Sequence, residues 1–164
     1  MNRFFAGILM AAVVAVPAFA ALKQSDKAPD FSAKASLAGK EFNFSLKDAL
    51  KKGPVVVYFY PSAFTGGCNI EAHTFAENKE KFDAAGASII GVSRDSITRL
   101  NAFSADPQYC AGKIAVASDA DGKIATSYGL TNTRNGAVTP SGPTSRTRRS
   151  PGVASAGAVS FKRS

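Results

Sequence analysis

The sequence predicts an α/β fold with a mainly parallel central sheet, and three observations carry that expectation. Apolar runs of strand length recur at residues 55–60, 88–92 and 114–118. Segments of helical spacing lie between them, and turns rich in Gly, Pro and Asp close each unit. Strands that alternate with helices need crossover connections, and crossovers make neighbouring strands parallel.

Each element has a local reason. Residues 31–36 and 41–45 read as two short strands. Leu37-Ala38-Gly39-Lys40 joins them as a hairpin turn in which Gly39 can take a positive φ. Residues 46–52 read as a short helix stopped by Gly53-Pro54. The run 55–60, Val-Val-Val-Tyr-Phe-Tyr, has no charged or amide side chain, as a strand buried on both faces requires. A helix is expected from Asn69 to about Ala85, with Ala72, Phe75, Ala76 and Phe82 on one face and Gly86 at its end. Residues 88–92 form a second buried strand. Ser93-Arg94-Asp95-Ser96 leads into a helix over 97–104 that Asp95 or Ser96 can cap, and Asp106-Pro107 breaks it. A third strand over 114–118, a turn at Asp119-Ala120-Asp121-Gly122 and a short helix over 123–128 follow.

The two ends differ from this middle. Arg3, an apolar stretch over 4–16 and Ala18-Phe19-Ala20 have the layout of a secretory signal peptide over residues 1–20. The stretch is shorter than the roughly 20 residues of a membrane span. The expectation is a periplasmic or secreted protein whose mature chain begins at Ala21, with no stable membrane association after cleavage. Residues 21–130 then form one domain. Its 13 Lys and Arg nearly balance 12 Asp and Glu, whereas residues 131–164 hold six basic residues and no acid, so the net charge of +8 belongs largely to the tail. That tail is rich in Ser, Thr, Gly, Pro and Arg, shows no clear strand run and is expected to be disordered. A basic tail can meet anionic lipid or polysaccharide. Phe161 is its single aromatic, which with export argues against nucleic acid.

The chemistry points to Cys68. It closes Pro61-Ser62-Ala63-Phe64-Thr65-Gly66-Gly67-Cys68, between the strand 55–60 and the helix after it. A helix N-terminus presents unpaired N–H groups and partial positive charge, and both favour a thiolate. Thr65, three residues earlier, can donate to that thiolate or to a peroxide oxygen. Pro61 lacks an N–H and can shield the thiol without a competing donor. The bland alternative is an inert buried cysteine.

This segment resembles the peroxiredoxin family (alkyl hydroperoxide reductase/thiol-specific antioxidant), whose signature is P-x-x-x-T/S-x-x-C. Pro61, Thr65 and Cys68 match it, and Glu71 matches an acidic residue that many members carry three positions after the cysteine. The Q-type, or bacterioferritin-comigratory, branch is the nearest, although its loop usually reads T-P-G-C where this chain has Thr65-Gly66-Gly67-Cys68. The resemblance runs from about Lys27 to Leu130 and includes the opening Ala28-Pro29-Asp30-Phe31. It implies a thioredoxin-like fold and reduction of hydrogen peroxide or organic hydroperoxides through a cysteine sulfenic acid. It also implies a thiol reductant, such as a thioredoxin-like protein, as partner, and no cofactor. The alternative is a catalytically inactive, C-terminally altered thioredoxin-like domain that is an interaction module or a non-functional product.

Within that reading Glu71 orients Thr65 or the loop, or is a helix-start carboxylate favoured by the dipole. Cys110 is the candidate resolving thiol, in a loop able to be mobile, with a structural disulfide or a free thiol as alternatives. The Q-type branch often has its resolving cysteine five residues after the first, where this chain has His73. The family's closing strands and its active-site arginine are not recognisable. Arg94 and Arg134 are the arginines nearest to that role by position, and neither is assigned to it. A metal site built from Cys68, His73 and Cys110 lacks the close paired ligand spacing of zinc sites. The missing C-x-x-C disfavours a disulfide reductase.

Overall fold

The computed structural model describes Leu22, residues 26–132 and, as backbone, strands at 138–140 and 158–161. The expected signal peptide, Arg134 and most of the expected tail lie outside the described residues. β1 (Ser32–Leu37) and β2 (Lys40–Ser45) form the expected hairpin, turned by Ala38 and Gly39, both at positive φ. α1 (Leu46–Lys52) starts at Ser45, whose hydroxyl accepts from the Asp48 N–H. Then come β3 (Val55–Phe59), α2 (Gly66–Glu77), α3 (Lys79–Ala84), β4 (Ser88–Ser93), α4 (Ile97–Ala105), β5 (Ala115–Ser118), α5 (Lys123–Ser127) and β6 (Leu130–Asn132). The expected long helix after Cys68 is two helices, because Asn78 leaves helical geometry at φ −95° and ψ 7°. Its amide side chain donates instead to the Thr74 carbonyl.

The main sheet runs β2-β1-β5-β4-β3-β8, where β8 is Ala158–Phe161. Only β3–β4 and β4–β5 are parallel; β2–β1, β1–β5 and β3–β8 are antiparallel. The sheet is therefore mixed, and the expectation of a mainly parallel one holds for its three central strands alone. The hairpin closes one side and β8 the other. β8, together with β7 (Val138–Pro140), which pairs with β6, corrects the reading of residues 131–164 as strandless. The physical reason is the edge of β3. A strand with five buried residues would leave a row of backbone N–H and C=O groups unpaired, and a four-residue segment is enough to pair them.

Side chains of β3 alternate between two cores. Val56, Tyr58 and Tyr60 join Cys68, Ala72, Ala76, Leu100, Phe103 and Cys110 on one face. Val55, Val57 and Phe59 join Leu46, Ala117, Ala125 and Tyr128 on the other. The opening Pro29-Asp30-Phe31 is anchored on that second face. The Tyr128 hydroxyl donates to the Pro29 carbonyl at 2.9 Å, the Lys47 N–H donates to Asp30 at 3.1 Å, and Phe31 meets Tyr128 edge-on. A buried Ser36–Ser104 hydroxyl pair at 2.9 Å ties the hairpin to α4.

Gly91 on β4 is where packing is tightest. A Cβ there would stand 2.6 Å from the Tyr58 ring and 2.9 Å from that of Tyr60, and both rings are fully buried. Gly91→Ala is expected to destabilise the protein by roughly 1–3 kcal/mol through overpacking. Urea unfolding of the variant beside the parent measures this; an unchanged midpoint would show that the two rings can move aside.

Candidate active site

Cys68 is the third residue of α2, and its neighbours on the inward face are Ala72 and Ala76 at helical spacing. The first helical backbone bond runs from the Asn69 N–H to the Thr65 carbonyl at 2.9 Å. The N–H groups of Gly66, Gly67 and Cys68 therefore have no acceptor within the helix. Gly66 and Gly67 are exposed, and nothing stands within 4 Å of where a Cβ would sit on either. The glycines lie in the first helical turn rather than in the preceding loop. The Cys68 residue itself is only 7% exposed, which admits a small oxidant more readily than a bulky one.

Thr65 caps α2 with extended backbone, φ −113° and ψ 145°. Its hydroxyl donates to the Ser62 carbonyl at 2.8 Å. The proton expected to point at sulfur or peroxide is committed to the loop, and the hydroxyl offers its lone pairs instead. Glu71 lies one turn after Cys68, half-buried, and burial raises its carboxyl above the usual range. The structure records no bond from it to Thr65, whose hydroxyl Ser62 holds.

Between Pro61 and Thr65 the chain takes a costly shape. Phe64 has φ 61°, a left-handed conformation that a bulky side chain rarely adopts and that costs roughly 1–3 kcal/mol. Aromatic contacts offset it. Phe64 meets Phe103 and Tyr109 edge-on at 5.2 and 5.4 Å, and the Arg99 guanidinium carbon lies 5.1 Å from its ring centre. The Ala63 peptide before it is gripped at both ends. Its N–H donates to Asp95 Oδ2 at 2.7 Å, and its carbonyl accepts from Arg99 Nη2 at 2.8 Å.

Sequence reasoning missed this pair. Of the two expected caps, Asp95 and Ser96, it is Ser96 that accepts from the Arg99 N–H, and the Asp95 carboxylate turns to the loop instead. The available signal was an Asp and an Arg four residues apart at a helix start. Arg94 lies beside Gly122, and among the residues packed near it is Asp119. His73 pairs with Glu77 at 3.5 Å on the outer part of α2. Among the described residues no group of three His, Cys, Asp or Glu side chains could hold a metal ion.

Cys110 follows α4 in a turn, consistent with the expected loop position. It is fully buried, and its carbonyl accepts from the N–H groups of Lys113 and Ile114. It shares one core with Cys68, Tyr58 and Tyr60, and both cysteines are free thiols. Burial, and then the Asp106 charge, push the Cys110 thiol up to about 12. Tyr58 is completely buried and its hydroxyl has no hydrogen-bond partner among the described residues. Burial, then the neighbouring Tyr60, Cys110, Glu71 and Cys68, oppose its ionisation.

One thiol at the start of a helix, entered from a central buried strand and without a second cysteine in the turn, defines a single-thiol site on a thioredoxin-like α/β fold. The chain belongs to the AhpC/TSA family, whose model matches residues 25–145. It is 33% identical over 109 residues to the 2-Cys peroxiredoxin BAS1, chloroplastic, of Hordeum vulgare, covering 64% of this chain and 52% of that protein. It is 41% identical over 88 residues to peroxiredoxin Q, chloroplastic, of Gentiana triflora, covering 54% and 39%. The chain thus spans about half or less of the length of these curated relatives. Among solved structures, the peroxidoxin BcpB of Mycobacterium tuberculosis is similar with a TM-score of 0.59 and 30% identity over 70% of this chain and 71% of that one. The reduced 2-Cys peroxiredoxin of Plasmodium vivax, at 23% identity and TM-score 0.61 over 74% and 70%, shares the fold.

The burial of Cys110 has a measurable consequence. At pH 8 native protein is expected to take up N-ethylmaleimide at Cys68 well before Cys110, with both labelled in 8 M urea. Peptide mapping reads the two sites, and equal native labelling would contradict the packing described for the turn after α4.

Proposed function

We propose that the protein is a thiol peroxidase that reduces hydrogen peroxide or organic hydroperoxides through Cys68. The observation that carries this reading is the placement of Cys68 among three unpaired backbone N–H groups at the start of α2, within Pro61-x-x-x-Thr65-x-x-Cys68. The family membership supports it. The sulfur of the Cys68 thiolate attacks the terminal peroxide oxygen. An S–O bond forms, the O–O bond breaks, and the leaving oxygen takes up a proton and departs as water or alcohol. Sulfur is oxidised by two electrons to the sulfenic acid and the peroxide is reduced by two. The N–H groups of Gly67 and Cys68 face the charge that develops on the oxygens. The Thr65 hydroxyl, its proton given to Ser62, accepts from the peroxide O–H and orients it. Pro61 keeps a competing donor out of the loop.

In the second step the Cys110 thiol condenses with sulfenic Cys68. An S–S bond forms and water leaves, and an external dithiol such as a thioredoxin-like protein reopens the bond by exchange. The layout of residues 1–20 favours work outside the cytoplasm, in the periplasm or beyond. Among the described residues no helix is long and apolar enough to cross a membrane.

Cys68→Ser is expected to abolish both peroxide consumption and sulfenic-acid labelling, whereas an inactive interaction module would show neither in the parent. Peroxide loss at the same rate in parent and variant would sink the assignment.

The resolving step has its own test. After one equivalent of peroxide, mass spectrometry is expected to find a Cys68–Cys110 disulfide. Persistent sulfenic or sulfinic Cys68 beside a free Cys110 thiol would establish a one-cysteine cycle instead.

A further inference from the structure

The strained loop before Cys68 does not hold itself. Its grip comes from the connection between β4 and α4, some thirty residues further along. Asp95 Oδ2 accepts from the Ala63 N–H at 2.7 Å and from the Ser93 hydroxyl at 2.8 Å. Asp95 Oδ1 accepts from the Ser62 hydroxyl at 3.0 Å and from Arg99 Nε at 3.1 Å. Arg99 turns its second nitrogen, Nη2, to the Ala63 carbonyl at 2.8 Å and lays its guanidinium over Phe64 at 5.1 Å. The Ser118 hydroxyl donates to the Asp95 carbonyl at 2.7 Å, which fastens the clamp to the end of β5.

We propose that Asp95 and Arg99 are positioning residues for the thiol, clamping the Ala63 peptide so that Phe64 is held left-handed and Thr65 and the first turn of α2 face the peroxide. The proposal rests on the peroxidase reading above. Three features separate the clamp from an ordinary surface ion pair, which contributes little. The Asp95 side chain is only 9% exposed. Both of its oxygens carry two partners. The guanidinium spans the carboxylate and the loop carbonyl together, which the single ammonium of a lysine cannot reproduce. Without the clamp, Ala63 keeps only the long Ser62 hydroxyl bond to its carbonyl at 3.4 Å among its recorded hydrogen bonds, and Phe64 can relax to negative φ. Thr65 then moves relative to the sulfur, whereas the N–H groups of the first turn of α2 travel with it, and a displacement of about 1 Å at a reacting centre can slow a reaction on the order of a hundredfold.

The test uses the full chain with Arg99→Gln, Arg99→Lys and Asp95→Asn. Three quantities are read: the single-turnover rate of sulfenic-acid formation with hydrogen peroxide, the rate of Cys68 alkylation by iodoacetamide, and the thermal midpoint. Alkylation needs the thiol but not the oriented peroxide. Sulfenic-acid formation is expected to fall by about tenfold or more in Arg99→Gln, with alkylation within about twofold of the parent. Arg99→Lys is expected to be as slow as Arg99→Gln. If Asp95→Asn fails to fold, the two Arg99 variants decide the matter, since that side chain is about half exposed. A peroxide step at the parental rate in folded Arg99 variants overturns the clamp. So does a parallel fall of both rates, which is the mark of general loosening. A full rescue by lysine overturns the bridging geometry in favour of charge alone. A parent protein that forms no sulfenic acid overturns the peroxidase reading itself, an outcome distinct from the other three.

Discussion

The complete burial of β3 is the constraint from which the rest of the molecule follows. All five of its residues are buried, so the strand needs a layer on each face and a paired neighbour on each edge. The alternation of its side chains meets the first need. One face carries α2 and α4, the other α1 and α5. β4 and β8 meet the second. The parallel register with β4 then sets Phe59 beside Val92, so the two strands end together. Their exits, the Pro61–Thr65 loop and the Ser93–Ser96 turn, lie side by side at the carboxyl end of the sheet. That is where open α/β sheets place ligands. Asp95 meets Ala63 because the strands leading to them are neighbours, not because the two loops are close in sequence.

The same end of the sheet holds an electrostatic tension. The thiolate that the proposed reaction requires would sit among Ala72, Tyr58 and Tyr60, which solvate a charge poorly. The compensation is local and made of backbone: three N–H groups at the start of a twelve-residue helix, left without helical acceptors. Backbone donors hold their direction only as well as the chain that carries them, and here the chain enters the helix through a left-handed phenylalanine. Local strain of this kind persists where surrounding contacts over-determine it. Phe103, Tyr109, Arg99 and Asp95 supply those contacts, all of them from α4 or its flanks.

Most of the fold was legible because it is written in local patterns. The hairpin, α1 and the central strands were placed within a residue or two by apolar runs and by Gly and Pro at their ends, and Cys68 at a helix start by the strand and turn before it. What escaped was set by tertiary context. Asn78 interrupts a helix whose apolar spacing continues through it, so periodicity alone cannot find the break. Ala158-Val159-Ser160-Phe161 is too short and too deeply set in a polar, basic segment to announce a strand, and acquires that role from the open edge of β3. Asp95 could be read as a cap from its position, but its true partners, Ser62 and Ala63, lie more than thirty residues away. Cys110 was read as a loop residue, and its burial follows from α4 returning its end onto the first core.

That burial shapes any second step. A thiol pushed up to about 12 is almost wholly protonated near neutrality and is a weak nucleophile where it stands. The turn that carries it closes through short-range bonds, in which Tyr109 and Ala111 donate to Asp106, Gly112 to Ser104, and Lys113 and Ile114 to Cys110, and it packs Tyr109 on Phe103 and Phe64. Ala111 and Gly112 both sit at positive φ. The turn's opening would leave the sheet paired, since β5 begins only at Ala115, but would withdraw Tyr109 from Phe64 and Ile114 from the first core. Opening would release the Cys110 thiol from the apolar surroundings that suppress it and free it to approach α2. In the proposed cycle the two chemical steps would draw on opposite properties of neighbouring segments: attack on peroxide on the loop that Asp95 and Arg99 hold, and resolution on the opening of a turn at the other end of α4.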